Sequence, residues 1–359
     1  MQEKAIGILG VGTHLPPQVR QNNWWPDHVV QSWREKAARR MEKLHDALVE
    51  EKTEGARRTL EALAGLAKDP FQGARERRVI GDDTTAADME TIAAREAIAR
   101  AGIPQDEIDL VLSHQICPDY INVPSAAVVH GNLGLSEHCT TMGTDAACNS
   151  FMLQLTLARG MIASGQARYA LLTQSSTLTR FPDSGEMIDA WGGDGASAVV
   201  VGPVSPGRGI LSFSNHTNGK LWGALVCGVP GRRWQDDRCV IYSEDRAANL
   251  DMVVRIADRA KRVIDESLGK AGLSPRDVAF FAGHQGFKWL LPVTQAYAGL
   301  GHARSVEHFH YTGTVSSVNL PLQMAVAEKE GILKPGDVVT CFQGGTGMTW
   351  SGMTLRWGT

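Results

Sequence analysis

The stretches AGIPQDEIDLVLSHQ at 101–115 and AGLSPRDVAFFAGHQ at 271–285 stand 170 residues apart; both open on Ala-Gly and close on His-Gln. Each follows a helical pattern (Ile92, Ala93, Ala97 and Ile98; then Val263, Ile264 and Leu268). Each then passes through glycine and an acidic turn into an apolar run, Ile108–Leu112 or Val278–Phe281. A second pair, ARYALLTQSS (167–176) and GDVVTCFQGG (336–345), lies at nearly the same offset. Short apolar runs bounded by turn residues and alternating with helices predict βαβ units around a buried parallel or mixed sheet. A solenoid repeats every ~20–50 residues, so this longer period predicts two similar halves packed face to face. The expected division is 1–204 and 205–359.

Residues 27–72 interrupt the pattern. The run is charge-rich, helical in propensity and almost free of proline. Val30, Trp33, Ala37, Met41, Leu44 and Leu48 step by three or four along one helix face, and Leu60, Leu63 and Leu66 suggest a second helix after the Thr53–Gly55 turn. Two readings stay open for this insertion: a surface hairpin, or a lid over a site.

Composition narrows the class. Of 359 residues, 43% are hydrophobic and 21% charged, which is globular usage. A net charge of -3 supplies no basic field to hold nucleic acid or an anionic membrane. The apolar runs fall far short of the ~20 residues a membrane span requires, and MQEKAIGILGVG lacks the features of a secretory signal. Six cysteines (117, 139, 148, 227, 239, 341) without a CxxC pair fit a reducing cytoplasm, so a cytoplasmic enzyme is expected. His308 and His310 alternate as on one strand face, but no third ligand with metal-site spacing accompanies them, so no metal is expected.

Four motifs can carry chemistry. In GTDAACNSFMLQLTLARG, Phe151, Leu155, Ala158 and Ile162 mark the buried face of a helix beginning just after Cys148. The partial positive charge at a helix N-terminus favours thiolate, making Cys148 a candidate nucleophile; its alternative is a small buried apolar residue. His284 emerges from the second-copy strand into a glycine-flanked loop, placed for proton transfer or carbonyl polarisation. Its repeat mate His114 holds the equivalent place, and the pattern does not separate the two. Gly344–Gly347 lets backbone amides approach a ligand as an oxyanion hole requires, or makes a hairpin turn. FHYTGTVSSVNLPLQMA (309–325) is a hydroxyl-rich turn entering a helix near Pro321.

In order, DAACNSF, GGDGASAVVVG (192–202), the GHQ histidine, GTVSSVNLP and GGTGMTWSG strongly resemble the β-ketoacyl-ACP synthase III family of the thiolase superfamily. IGILGVGTHLPPQVRQN and VPSAAVVHGNLG (123–134) are similar to it as well. The likeness covers all of the chain but the 27–72 insertion. The long-chain head-to-head condensing enzymes are also similar, especially around NLGLSEHC and the C-terminal loop.

The resemblance implies an α/β thiolase fold, five-layered αβαβα, built from two pseudo-duplicated halves and forming a homodimer. It implies that Cys148 accepts an acyl group from CoA or acyl carrier protein, and that His284 stabilises the enolate of a decarboxylating malonyl thioester. The backbone amides of Cys148 and Thr346 would form the oxyanion hole. Val123 matches the residue that a partner subunit inserts into the acyl-pocket wall, and the pocket is expected to depend on packing around Val123, Met152 and Met187. Arg75, Arg77, Arg78, Arg180 and Lys288 are the cations expected to meet CoA phosphates or an acidic carrier helix. No cofactor is implied; the CoA or phosphopantetheine thioester is substrate.

Three departures accompany the likeness. Thr314 aligns with the asparagine of the family's GNTSAAS motif, Met187 lies where a basic residue is expected, and Gly286, Phe287, Lys288 and Trp289 follow the His-Gln pair. Threonine donates one hydrogen bond, reaches less far than asparagine and presents no amide. Decarboxylative condensation is the leading expectation, with acyl transfer to a hydroxyl or amine as the alternative. A reading of another class, a non-catalytic partner subunit or carrier-binding module, is opposed by the retention of both Cys148 and His284.

Overall fold

Gly102 and Gly272 take the left-handed conformation (φ 65° and 67°) that ends the helix before each copy of the repeat. Gly102 N–H donates to the Ile98 carbonyl and Leu273 N–H to the Leu268 carbonyl, the bonding that closes a helix at a C-terminal glycine. Single 3-10 turns, Gln105–Glu107 and Pro275–Asp277, come next. They delay both strands by two residues relative to the sequence expectation, because Pro104 and Pro275 favour a turn over extension. Ile108 and Val278 are buried as the residues that close these turns.

The structure, a computed structural model, describes residues 4–50, 53–181 and 185–359, with side chains outside 40–50. Elements run β1 (Ile6–His14), β2 (Gln18–Gln21), α1 (Asp27–Glu50), α2 (Glu54–Gly65), β3 (Glu76–Val79), α3 (Ala86–Ala101) and β4 (Leu110–Gln115). Then come α4 (Ser125–Leu133), β5 (Thr140–Gly143), α5 (Ser150–Ala163), β6 (Ala170–Thr177), β7 (Asp194–Pro203) and β8 (Gly209–Thr217). Two short strands, β9 (Val226–Gly228) and β10 (Val240–Tyr242), precede α6 (Arg246–Val254) and α7 (Ile256–Lys270). The chain finishes with β11 (Phe280–Gly283), α8 (Leu290–Tyr297), α9 (Phe309–Thr312), α10 (Asn319–Lys329), β12 (Val338–Gly345) and β13 (Thr349–Arg356).

One sheet has the order β1-β7-β6-β4-β5 and the other β11-β12-β13-β8. The repeat pairs alike in both. β4 lies parallel to β6, which is antiparallel to β7; β11 lies parallel to β12, which is antiparallel to β13. α5 and α10 lie between the sheets, burying Phe151, Met152, Leu155, Leu320 and Met324 against both. α3 and α4 cover the outer face of the first sheet, and α7 and α8 that of the second. This is the five-layered αβαβα thiolase fold.

The insertion is helical over the expected span. Val30, Trp33 and Ala37 of α1 are buried, and Trp33 Nε1 donates to the Gly185 carbonyl at 3.0 Å. The expected continuation of that face through Met41, Leu44 and Leu48 lies outside the described side chains. Thr53 caps α2, accepting from Ala56 N–H, and Leu60 is buried while Leu63 and Leu66 pack on the second half. Among the described residues no helix is long and apolar enough to cross a membrane.

Candidate active site

Cys148 sits on a single 3-10 turn, Ala147–Asn149, two residues ahead of the start of α5. Ala147 has a φ of 48°, and Asn149 Nδ2 anchors the turn to β13 by donating to Ser351 Oγ at 2.9 Å. Gly345 at the end of β12 passes so close that a Cβ there would fall 2.3 Å from the Ala146 carbonyl oxygen and 2.8 Å from Asn149 N. Only glycine fits this approach, and it carries Thr346 alongside the cysteine turn. The Gly344–Gly347 stretch is therefore both a hairpin connection and a wall of the site.

Cys148, His284, Thr314 and Thr346 all line one cavity of about 160 Å³. The remaining wall is chiefly apolar, including Leu178, Trp191, Leu225 and Phe287. His284, rather than His114, faces it. His114 is buried with Nδ1 3.3 Å from the Thr144 carbonyl oxygen and 3.5 Å from Asp145 Oδ1, and it does not line the cavity.

A helix N-terminus favours the thiolate of Cys148, and burial of the sulfur acts against it. Burial pushes the thiol pKa up; the Ser316 hydroxyl, donating to Sγ at 3.3 Å, and the residue's own amide pull the other way. Burial also lowers His284 to about 4. The imidazole is therefore neutral at pH 7.

A second cavity, about 610 Å³, adjoins the first and shares Ile188, Trp191, Leu225, Met252, Val253 and Phe287 with it. Ala37 of α1, and Leu63 and Ala67 at α2, line it, so the insertion walls this space. Phe287 stands edge-on to Trp191 (5.1 Å between ring centres) and stacks on Trp289 (5.7 Å), forming an aromatic partition between the two spaces.

A family model described as 3-oxoacyl-[acyl-carrier-protein (ACP)] synthase III matches residues 142–219, and its C-terminal companion matches 268–357. The β-ketoacyl-[acyl-carrier-protein] synthase III of Rhodospirillum centenum is 30% identical over 291 residues, spanning 79% of this chain and 88% of that protein. The chain belongs to the β-ketoacyl-ACP synthase III family. Members of this family are acyltransferases of the condensing type, and so is this enzyme. Solved structures share its fold, among them the two that follow. The priming β-ketosynthase of the R1128 polyketide pathway has a TM-score of 0.79 at 22% identity, covering 99% of this chain and 96% of that one. Xanthomonas campestris OleA, solved with lauric acid and lauroyl-CoA, has a TM-score of 0.75 at 20% identity, covering 99% of this chain and all of the other.

Several residues expected at this synthase site lie elsewhere. Met152 is fully buried in the central core between the sheets and lines neither cavity. Met187 lines the larger cavity rather than the cysteine pocket. Val123, expected to enter a partner subunit's pocket wall, is 41% exposed beside the exposed Tyr120 and Ile121 and lines neither cavity of this chain. Arg77 is fully buried: its guanidinium donates to the Ala190 carbonyl and Asn22, lies against Trp25 and Phe71, and is lowered by burial to about 9. It holds the chain together rather than meeting solvent phosphates.

Arg180 is tied to the Thr84 carbonyl and approaches Asp119 at 3.8 Å. Arg75 is exposed, and Lys288 lays its stem over Gly73, next to Gln72 on the larger cavity's wall. His310 lies on the helical turn α9 and His308 is the residue that caps its start, rather than both lying on a strand, since Thr312 N–H bonds back to the His308 carbonyl. Sequence reasoning missed Ser316, whose φ of 52° turns its hydroxyl to the sulfur, and Asn319 behind His284. The paired serines of GTVSSVN were the available signal for the first.

Proposed function

We propose a ping-pong acyl transfer through Cys148. Its sulfur attacks the carbonyl carbon of an acyl-CoA or acyl-carrier thioester, and the proton lost from the cysteine thiol is passed, by way of solvent, to the departing donor sulfur. The amides of Cys148 and Thr346 hold the tetrahedral oxyanion, and collapse expels the donor thiol to leave acyl-Cys148. A malonyl-type thioester then enters and loses carbon dioxide. Its α-carbon attacks the acyl carbonyl and the cysteine sulfur leaves, regaining a proton. His284 and Thr314 donate to the malonyl thioester oxygen as negative charge develops there.

The observation that carries this reading is the convergence of Cys148, His284, Thr314 and Thr346 on one apolar-walled cavity. The larger cavity suits the pantetheine arm, with Arg75 and Lys288 near its Gln72 wall to meet phosphate or an acidic carrier. Thr346 lies beside the cysteine turn as an oxyanion hole requires. The exposed Tyr120–Val123 patch suits a second copy of the chain, whose Val123 would complete the acyl-pocket wall.

A second reading, transfer of the acyl group to a hydroxyl or amine, is favoured by threonine at 314. Intact-mass measurement with a panel of acyl-CoAs, wild type beside Cys148→Ala, tests the first step. A mass gain confined to wild type supports it, and no gain on wild type rejects it. Carbon dioxide release from malonyl-CoA by the acylated enzyme separates condensation from heteroatom transfer.

A further inference from the structure

The buried amide of Asn319 packs behind the imidazole, away from the cavity. Its Nδ2 donates to the Ser316 carbonyl oxygen at 2.7 Å and also faces His284 Nδ1 at 3.4 Å. The short contact settles which amide atom this is, because an oxygen there would meet the Ser316 oxygen with no proton between them. With one amide proton given to the carbonyl, the second is the one left to meet Nδ1. The ring nitrogen facing it must then offer a lone pair, which leaves the imidazole proton on Nε2.

The arrangement is held rigidly. Gln323 Nε2 donates to both the Asn319 carbonyl (3.1 Å) and the Gly283 carbonyl (2.7 Å), and its Oε1 accepts from Gly283 N–H at 3.2 Å. The residue preceding His284 and the residue behind its ring are thus clamped by one side chain. His284 N–H donates to the Phe342 carbonyl at 2.8 Å, fixing the backbone as well.

We propose that Asn319 is a positioning residue that holds His284 as the Nε2–H tautomer, so the imidazole meets substrate as a hydrogen-bond donor and not as a base. This rests on the proposed reading that His284 faces the second substrate. It deepens that reading by favouring a thioester oxygen that gains negative charge. A hydroxyl or amine acceptor would need the Nε2 lone pair that this tautomer lacks. Neutral imidazole, kept so by burial, is the form in which the distinction matters.

The tautomer is read directly from the ¹⁵N shifts of histidine-labelled enzyme, with His284 assigned by the signal lost in His284→Gln. The expected wild-type result is a bare, hydrogen-bonded Nδ1 and a protonated Nε2; a protonated Nδ1 overturns the proposal. Asn319→Asp presents only an acceptor to Nδ1 and should draw the proton there. Its ratio of malonyl decarboxylation to acyl-Cys148 hydrolysis should fall by about tenfold or more, as an oriented imidazole base replaces a donor. An unchanged tautomer and ratio in a folded variant would also overturn it. Should the variant fail to fold, the wild-type spectrum decides alone. Absence of acyl-enzyme on wild type would sink the function reading while leaving the tautomer measurement to stand.

Discussion

Ser316 donates its hydroxyl proton to the sulfur of Cys148 across 3.3 Å, joining two residues 168 positions apart at the mouth of α5. Burial raises the thiol pKa, and this hydrogen bond is the largest influence opposing it. The thiolate needed for attack is therefore stabilised by a side chain from the other half of the molecule.

Removing that donor in Ser316→Ala should raise the thiol pKa further and slow acylation by about ten- to a hundredfold, consistent with loss of one hydrogen bond to a charged group. The rate of iodoacetamide alkylation of Cys148, followed against pH, reports the shift. An unmoved midpoint would show that the hydroxyl does not stabilise the thiolate.

An imidazole lowered to about 4 stays neutral where a solvated one would titrate, near 6.5. Carbon dioxide release by pre-acylated enzyme should therefore show no His284 limb between pH 5 and 7. The same shift contributes stability that is complete above 6.5 and is lost as pH falls through about 4. A rate limb centred near 6.5, absent from His284→Gln, would mean the ring is solvated in the working enzyme.

Glu90 is buried, taking hydroxyl donors from Ser125, Thr173 and Ser175, and burial lifts it from 4.5 to about 7. Because the folded value is the higher one, its contribution is complete below 4.5 and is lost as pH rises through about 7. Glu90→Gln should remove this slope, gaining on wild type by roughly 1–3 kcal/mol between pH 5 and 8.5. Urea unfolding at the two pH values measures the difference. Parallel curves for the two proteins would assign the slope to other groups.

Much of this architecture was readable from the chain itself. The 170-residue repeat marks strands that pair in parallel in both sheets, and its Ala-Gly openings are the helix stops seen at Gly102 and Gly272. Cys148, His284 and Thr346 stood in motifs because their roles depend on local turns. What could not be read depended on partners distant in sequence. The thiol's protonation follows from walls contributed by many segments, and the choice between His114 and His284 from which strand end opens on the cavity. Met152 and Met187 are the same residue type, yet one lies in the core between the sheets and the other on the larger cavity. Asn319 looks like an ordinary helix-start residue until the ring behind which it packs is known.

Ala37 points from α1 into the larger cavity, which shares the Trp191–Phe287 partition with the cysteine pocket. If the pantetheine arm passes there, Ala37→Trp should raise KM for acyl-CoA by about tenfold or more. Acylation by a short N-acetylcysteamine thioester should be nearly unchanged, since that donor lacks the remote part. Equal effects on both donors would place the path elsewhere.

Thr314 offers the sharpest division between the two chemistries. Its N–H donates to the Trp191 carbonyl at 2.7 Å and its carbonyl accepts from Gly193 N–H at 3.0 Å, so the backbone is pinned and only the side chain varies. In Thr314→Asn the longer amide reaches farther into the cavity. If a malonyl thioester is the native second substrate, Thr314 already supplies the donor, and decarboxylation should change by no more than about threefold. A lost oxyanion donor ordinarily costs ~10²–10³ in rate. A gain of that size on restoring an asparagine would therefore show that the native site had never been shaped for the malonyl oxygen. Side-by-side carbon dioxide release from wild type and variant, each acylated to the same extent, makes the comparison.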